Sequence, residues 1–129
     1  MIERRREGGA AFPLGLKKLV KLLDGEIIWG AKLISEAEVS GCFAADLMSD
    51  VLAFSRPGSL LLTGLTSVQA VHTADVAELK GIVFVSGKKP PEAVVELARK
   101  KEIPLVRTRH GLFDACGILA KAGIRASMK

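Results

Sequence analysis

The side chains of this chain that could do chemistry fall into two groups. The first is Asp46, Ser49 and Asp50. On a helix, Asp46 would neighbour Ser49 and Asp50 at i+3 and i+4, and paired carboxylates so placed could hold a cation or shift each other's protonation. The plainer alternative puts Asp46 at a helix N-terminus, where it steadies the dipole by about 0.5 kcal/mol, with Ser49 and Asp50 facing solvent. The second group closes three apolar runs. Leu60-Leu61-Leu62 leads into Thr63-Gly64, Ile82-Val83-Phe84-Val85 into Ser86-Gly87, and Pro104-Leu105-Val106 into Arg107-Thr108. The hydroxyls of Thr63, Thr66, Ser67, Ser86 and Thr108, with the N–H groups of the helices that follow, could hold an anion. Two plainer readings stand beside this one: Thr66 and Ser67 as helix caps, and Gly64 and Gly87 as tight turns.

Motifs that would define a reaction are missing. The phosphate-binding loop G-x-x-x-x-G-K-[ST] does not occur: Gly87-Lys88-Lys89 is followed by Pro90, and no glycine stands at the required distance before it. No strand is followed by G-x-G-x-x-G. His72 and His110 are the only histidines. His72 falls mid-helix among valines and reads as a packed or surface residue. His110 lies in a strand-end loop beside Arg109, a better position for function, but no serine or cysteine partner is fixed by spacing. Without an H-x-x-x-H or Cys/His cluster, no metal site is expected. Cys42 and Cys116 belong to no C-x-x-C pair. Cys116 reads as a small buried hydrophobe, Cys42 as a residue with some access, and nothing favours joining them. No catalytic residue is therefore assigned, and the chemistry left is that of a binding surface.

The elements that must carry these residues follow from composition and pattern. The chain has 129 residues, the size of one domain. Hydrophobic residues make up 49% and aromatics only 5%, so the core must be aliphatic, as in buried parallel strands covered by Ala- and Leu-rich helices. Net charge is +5, much of it near the termini. Without interleaved aromatics or a nucleic-acid motif, that excess reads as solvated surface, and nucleic acid is not expected as a partner. No stretch is long and apolar enough to span a membrane, and the N-terminus makes a poor signal peptide. A cytoplasmic protein is expected.

Residues 1–13 read as a flexible basic arm. Leu16, Leu19, Val20 and Leu23 recur with helical spacing, and Asp24-Gly25 should end that helix. Glu26 to Trp29 reads as a strand, Gly30 to Lys32 as a turn, and Glu36 to Cys42 as a second strand. Asp46 to Phe54 reads as a helix with Leu47, Val51 and Phe54 inward. A helix starting near Thr66 or Ser67 should run to about Leu79 and stop at Gly81. Pro90-Pro91 opens the next. The last should turn Leu112, Phe113, Cys116, Leu119 and Ala120 inward and end at Gly123. The expectation is a single α/β domain over residues 14–124 and a short tail over 125–129. Its core is a parallel βαβαβα sheet with helices on its faces, supplemented by an N-terminal helix and two short strands.

From Glu38 to Gly123 the chain resembles the DRTGG domain family. The resemblance rests on Glu38-Val39-Ser40-Gly41-Cys42 at the name-giving motif, on Ala45 to Leu52, on Pro57-Gly58, on Gly81-Ile82-Val83, on Ser86-Gly87, and on Ile103-Pro104-Leu105 before Thr108. Within the motif only Gly41 is kept; Glu38, Val39, Ser40 and Cys42 replace the aspartate, arginine, threonine and final glycine. The resemblance implies a stand-alone member, similar in fold to the N-terminal domain of HPr kinase/phosphorylase but without its phosphoryl-transfer part. In larger proteins such domains accompany phosphate acetyltransferase or sit between the CBS modules of regulated pyrophosphatases. Stand-alone members tend to be encoded near iron-only hydrogenase components.

The expected function is a non-catalytic regulatory or ligand-sensing module. It would bind a nucleotide or another small anionic metabolite between the strand ends and the Asp46–Asp50 stretch, through Asp46, Ser49, Asp50, Thr63, Gly64, Thr66, Ser86, Gly87 and Thr108. A homodimer is expected. The alternative is an interaction or assembly subunit of a hydrogenase or other redox complex.

Overall fold

The computed structural model describes residues 14–129, and the arm expected over residues 1–13 lies outside the described residues. In chain order the elements are β1 (Leu14–Gly15), α1 (Leu16–Leu22), β2 (Glu26–Trp29), α2 (Ala31–Glu36), β3 (Glu38–Val39), β4 (Cys42–Ala44) and α3 (Met48–Phe54), then β5 (Leu60–Thr63), α4 (Val68–Val76), β6 (Gly81–Phe84), α5 (Glu92–Lys101), β7 (Leu105–Arg107) and α6 (Leu112–Lys121).

The main sheet has the order β2-β7-β6-β5-β4. β4 to β7 are mutually parallel, and β2 joins β7 antiparallel. β1 and β3 form a separate antiparallel pair. The central strands are apolar throughout because both of their faces are covered. Leu60, Leu62, Val83, Val85 and Val106 face α1, α2 and α6, with Leu19, Ile34 and Leu119 opposite them. Leu61, Ile82, Phe84 and Leu105 face α3, α4 and α5, with Val51, Val71 and Val94 opposite. Successive residues of a strand thus feed alternate layers, and the expected α/β architecture is present.

Several local expectations are corrected. The strand read over Glu36 to Cys42 is two strands, β3 and β4, separated at Gly41. A Cβ there would lie 2.7 Å from the Arg125 carbonyl oxygen and 2.9 Å from the Ser127 Cβ, so the chain bends where it crosses its own C-terminal segment. Gly30 to Lys32 is no turn: Gly30, at φ 94°, caps helix α2, whose single fully buried residue is Ile34. α3 begins at Met48 and turns Met48 and Val51 inward, leaving Leu47 and Phe54 exposed. α4 ends at Val76 with Ala77 as its C-cap, Glu78 is left-handed at φ 59°, and Gly81 opens β6. In α6 the buried residues are Ala115 and Leu119, and Phe113 is 88% exposed.

Residues 125–129, read as a tail, run beside β4. The Cys42 N–H donates to the Arg125 carbonyl at 2.9 Å, and the Ser127 N–H to the Cys42 carbonyl at 2.8 Å. Ser127 is buried, its hydroxyl 2.6 Å from that of Ser59.

Candidate functional site

The carboxyl ends of β5, β6 and β7 open onto one face, and each end is secured differently. At β5 the strand passes into Thr63-Gly64, and Asp46 reaches them from the end of β4. The Gly64 N–H donates to Asp46 Oδ1 at 2.7 Å, and the Thr63 hydroxyl donates to the same oxygen at 3.1 Å. Thr63 Oγ1 also accepts the Leu65 N–H at 3.1 Å. From the β6 side, Lys88 Nζ donates to the Gly64 carbonyl at 3.1 Å. A Cβ on Gly64 would lie 3.2 Å from that ammonium and 3.5 and 3.6 Å from the two carboxylate oxygens. The turn is thus held between an acid and a base, both exposed.

This corrects the reading of Asp46 as a helical neighbour of Ser49 and Asp50. Its carboxylate is engaged by Gly64, and Leu47, extended at φ −91°, ψ 109°, separates it from α3. Ser49 and Asp50 sit exposed in the first turn of α3, outside the hydrogen-bonded cluster.

At β6, Ser86 and Gly87 are both left-handed, at φ 62° and 69°. The Ser86 N–H donates to the His110 carbonyl at 2.7 Å, and the Gly87 N–H to the Thr108 carbonyl at 2.8 Å. Backbone groups alone tie this turn to the β7 loop, and the Ser86 side chain is exposed. At β7, Thr108 is buried; its hydroxyl donates to the Leu23 carbonyl at 2.7 Å and accepts the His110 N–H at 3.3 Å. The hydroxyls of Thr63 and Thr108 therefore serve the turns themselves. Ser67 stands at the N-cap of α4 and Gly111 at that of α6, neither with a side-chain cap. Thr66 is half-buried just before α4. The first-turn N–H groups of both helices point from this face, as helix starts do.

Sequence reasoning missed a neighbouring cavity of about 420 Å³, lined by Leu23, Asp24, Glu26, Arg107, Arg109 and His110. Arg107 pairs with Glu26 at 2.5 Å, and His110 Nε2 lies 4.0 Å from Asp24 Oδ2. Its acidic members come from β2 and the turn before it. Asp24-Gly25 had signalled only a helix end, and no spacing rule ties it to Arg107.

His72 is exposed on α4. Cys42 and Cys116 line an apolar cleft of about 220 Å³ between α6, β4 and the C-terminal segment. Both are free thiols. Burial, with a smaller contribution from Cys116, pushes the Cys42 thiol up to about 12, and burial also raises Cys116. Among the described residues, no three His, Cys, Asp or Glu side chains are grouped to hold a metal ion, and no helix is long and apolar enough to cross a membrane.

The family model of the DRTGG domain matches residues 18–122. The chain belongs to the DRTGG domain family. The match begins upstream of Glu38, within α1, so this DRTGG domain includes the helix and strand that build the 420 Å³ cavity. No curated protein matches the chain. Among solved structures, it is similar to the CBS and DRTGG domains of the regulatory region of Clostridium perfringens pyrophosphatase, crystallised with its activator, diadenosine tetraphosphate. The TM-score is 0.69 at 17% sequence identity, with 89% of this chain and 50% of that chain covered. The chain thus spans half the length of that regulatory region, and the likeness establishes the fold.

Proposed function

We propose that this DRTGG domain is a non-catalytic regulatory module that binds a nucleoside polyphosphate across the carboxyl ends of β5, β6 and β7. One observation carries the reading: two uncapped helix starts, α4 and α6, share this face with the ammonium and guanidinium groups of Lys88, Lys89 and Arg109. Helix N-termini and cations together suit phosphate. Lys89 and Arg109 make no hydrogen bond or ion pair among the described residues, so their charge is available. The ends of β5 and β7 flank β6 and lie about 10 Å apart, a span that favours linked phosphates over a single carboxylate. Exposed Phe113 and Leu47 stand at the starts of α6 and α3 on the rim, where a base can pack.

The remaining members of the proposed site are Asp46, Ser49, Asp50, Thr63, Gly64, Thr66, Ser86, Gly87 and Thr108. Thr66 and Ser86 offer side chains, Gly64 and Gly87 close backbone approach, and Thr63 and Thr108 fix the turns. The activator bound by the pyrophosphatase region, a dinucleotide with linked phosphates, supports the ligand class. Isothermal titration with diadenosine tetraphosphate, ATP, ADP and AMP tests the reading. Binding that strengthens with phosphate number and is lost in Lys88→Ala/Arg109→Ala is expected. A folded protein that binds none of the four overturns it.

A further inference from the structure

The β5 end already contains an anion. A backbone N–H (Gly64) and a hydroxyl (Thr63) converge on one point, with an ammonium (Lys88) on the other side of the glycine, and such donors recur where proteins grip a phosphate oxygen. Here the oxygen belongs to the chain itself: Asp46 Oδ1 takes the Gly64 N–H at 2.7 Å and the Thr63 hydroxyl at 3.1 Å. Lys88 Nζ, 3.1 Å from the Gly64 carbonyl, flanks the same glycine. Gly64 carries no Cβ, and one built there would crowd the ammonium at 3.2 Å. The Thr63 and Gly64 donors stand on a rigid base, since Thr63 is fully buried in β5. The acceptor does not: Asp46 is exposed, precedes α3, and is linked to it only through the extended Leu47.

We infer that Asp46 is a built-in competitor: its carboxylate occupies a phosphate subsite formed by the Gly64 N–H and the Thr63 hydroxyl, which Lys88 flanks from the other side of the glycine, and ligand binds there when Asp46 turns out to solvent. The inference rests on the nucleotide reading above and assigns Asp46 the role of occupant, not contact. A ligand phosphate and the Asp46 carboxylate are both anions and cannot share one N–H, so affinity in the wild-type protein is the affinity left after expelling the carboxylate. The arrangement sets a threshold, because a weakly held anion such as a monophosphate does not displace the acid while a multiply anchored polyphosphate does.

The test uses the whole chain with ATP and inorganic pyrophosphate as probes, in wild type, Asp46→Asn and Asp46→Asn/Lys88→Ala. Asparagine keeps a carbonyl acceptor for Gly64 and removes the charge. Removing one like charge near the ligand is expected to tighten ATP and pyrophosphate binding by about tenfold, and the second substitution should cancel the gain. The backbone amide resonance of Gly64, followed by NMR during the titration, should move most of any glycine. Wild type that binds ATP as tightly as Asp46→Asn overturns the competitor role and leaves the nucleotide reading standing. If neither protein binds ATP or pyrophosphate while both remain folded, the two readings fall together. Binding of ATP by Asp46→Asn alone, with wild type still binding diadenosine tetraphosphate, upholds both.

Discussion

The ends of β5 and β6 are neighbours, are built from the same small polar residues, and are held in opposite ways. At β5 the turn is gripped by two charged side chains, Asp46 from one side and Lys88 from the other. At β6 the turn is gripped by backbone, with Ser86 and Gly87 donating to the carbonyls of His110 and Thr108. A backbone-held turn has no charge for a solute to compete with and behaves as frame. A turn held by exposed charges responds to whatever else bears charge nearby. The β7 loop falls on the frame side, because Thr108 is buried and spends its hydroxyl on the Leu23 carbonyl.

The largest effect should come from the frame. Thr108→Val keeps the shape but strands the Leu23 carbonyl without its donor, at a cost of about 1–3 kcal/mol. Urea denaturation measures that loss, and a change below the experimental error would show that the loop is not held as described. Next comes a matched pair of substitutions. Gly87→Ala meets open space but forces a side chain onto φ 69° and should cost about 1 kcal/mol. Gly64→Ala meets the mobile end of Lys88 and should change stability by less than about 0.5 kcal/mol, while weakening ATP binding. Equal stability losses in the two would erase the distinction between the turns.

The smallest effect lies away from both turns and serves as their control. Desolvation keeps the proton on the Cys42 thiol up to about 12, against the ordinary value of 9.0. Between those limits the folded chain holds a proton that the unfolded chain has released. This contribution is complete below the lower value and is lost as pH rises toward the upper one. Stability measured between about pH 8 and pH 10 should fall less steeply in Cys42→Ala than in wild type; parallel slopes would mean the thiol is hydrated.

The sheet was legible because strands buried on both faces are apolar without interruption, and Leu60 to Leu62 and Ile82 to Val85 advertise that directly. Helix ends were less so. Gly25 and Gly81 looked like helix stops, yet Asp24 and Glu78 take the left-handed positions, at φ 50° and 59°. Gly25 is needed for closeness: a Cβ there would lie 2.8 Å from Val106 Cγ1, whereas one on Gly81 would meet Pro104 at an ordinary 3.4 Å. A single strained φ is a cost of roughly 1 kcal/mol, whereas a buried clash has nowhere to go. The polar strand ends were visible, but not what they bind to. Asp46 lies 17 positions from Thr63 and Lys88 lies 24 from Gly64, and only the sheet order brings them together. Phe113 was misplaced because α6 begins one turn before its buried stripe, leaving its first residues over the rim.

The C-terminal segment laid along β4 has a bearing on aggregation. A bare sheet edge is a template for adding strands, and a five-stranded sheet would ordinarily offer two. Here Cys42, the first residue of β4, pairs with Ala126, and Ser55, beyond α3, with Met128, so the C-terminal segment covers the start of the β4 margin, while β2 forms the other edge of this sheet. The segment over residues 125–129 thus shields the start of the β4 edge from strand addition.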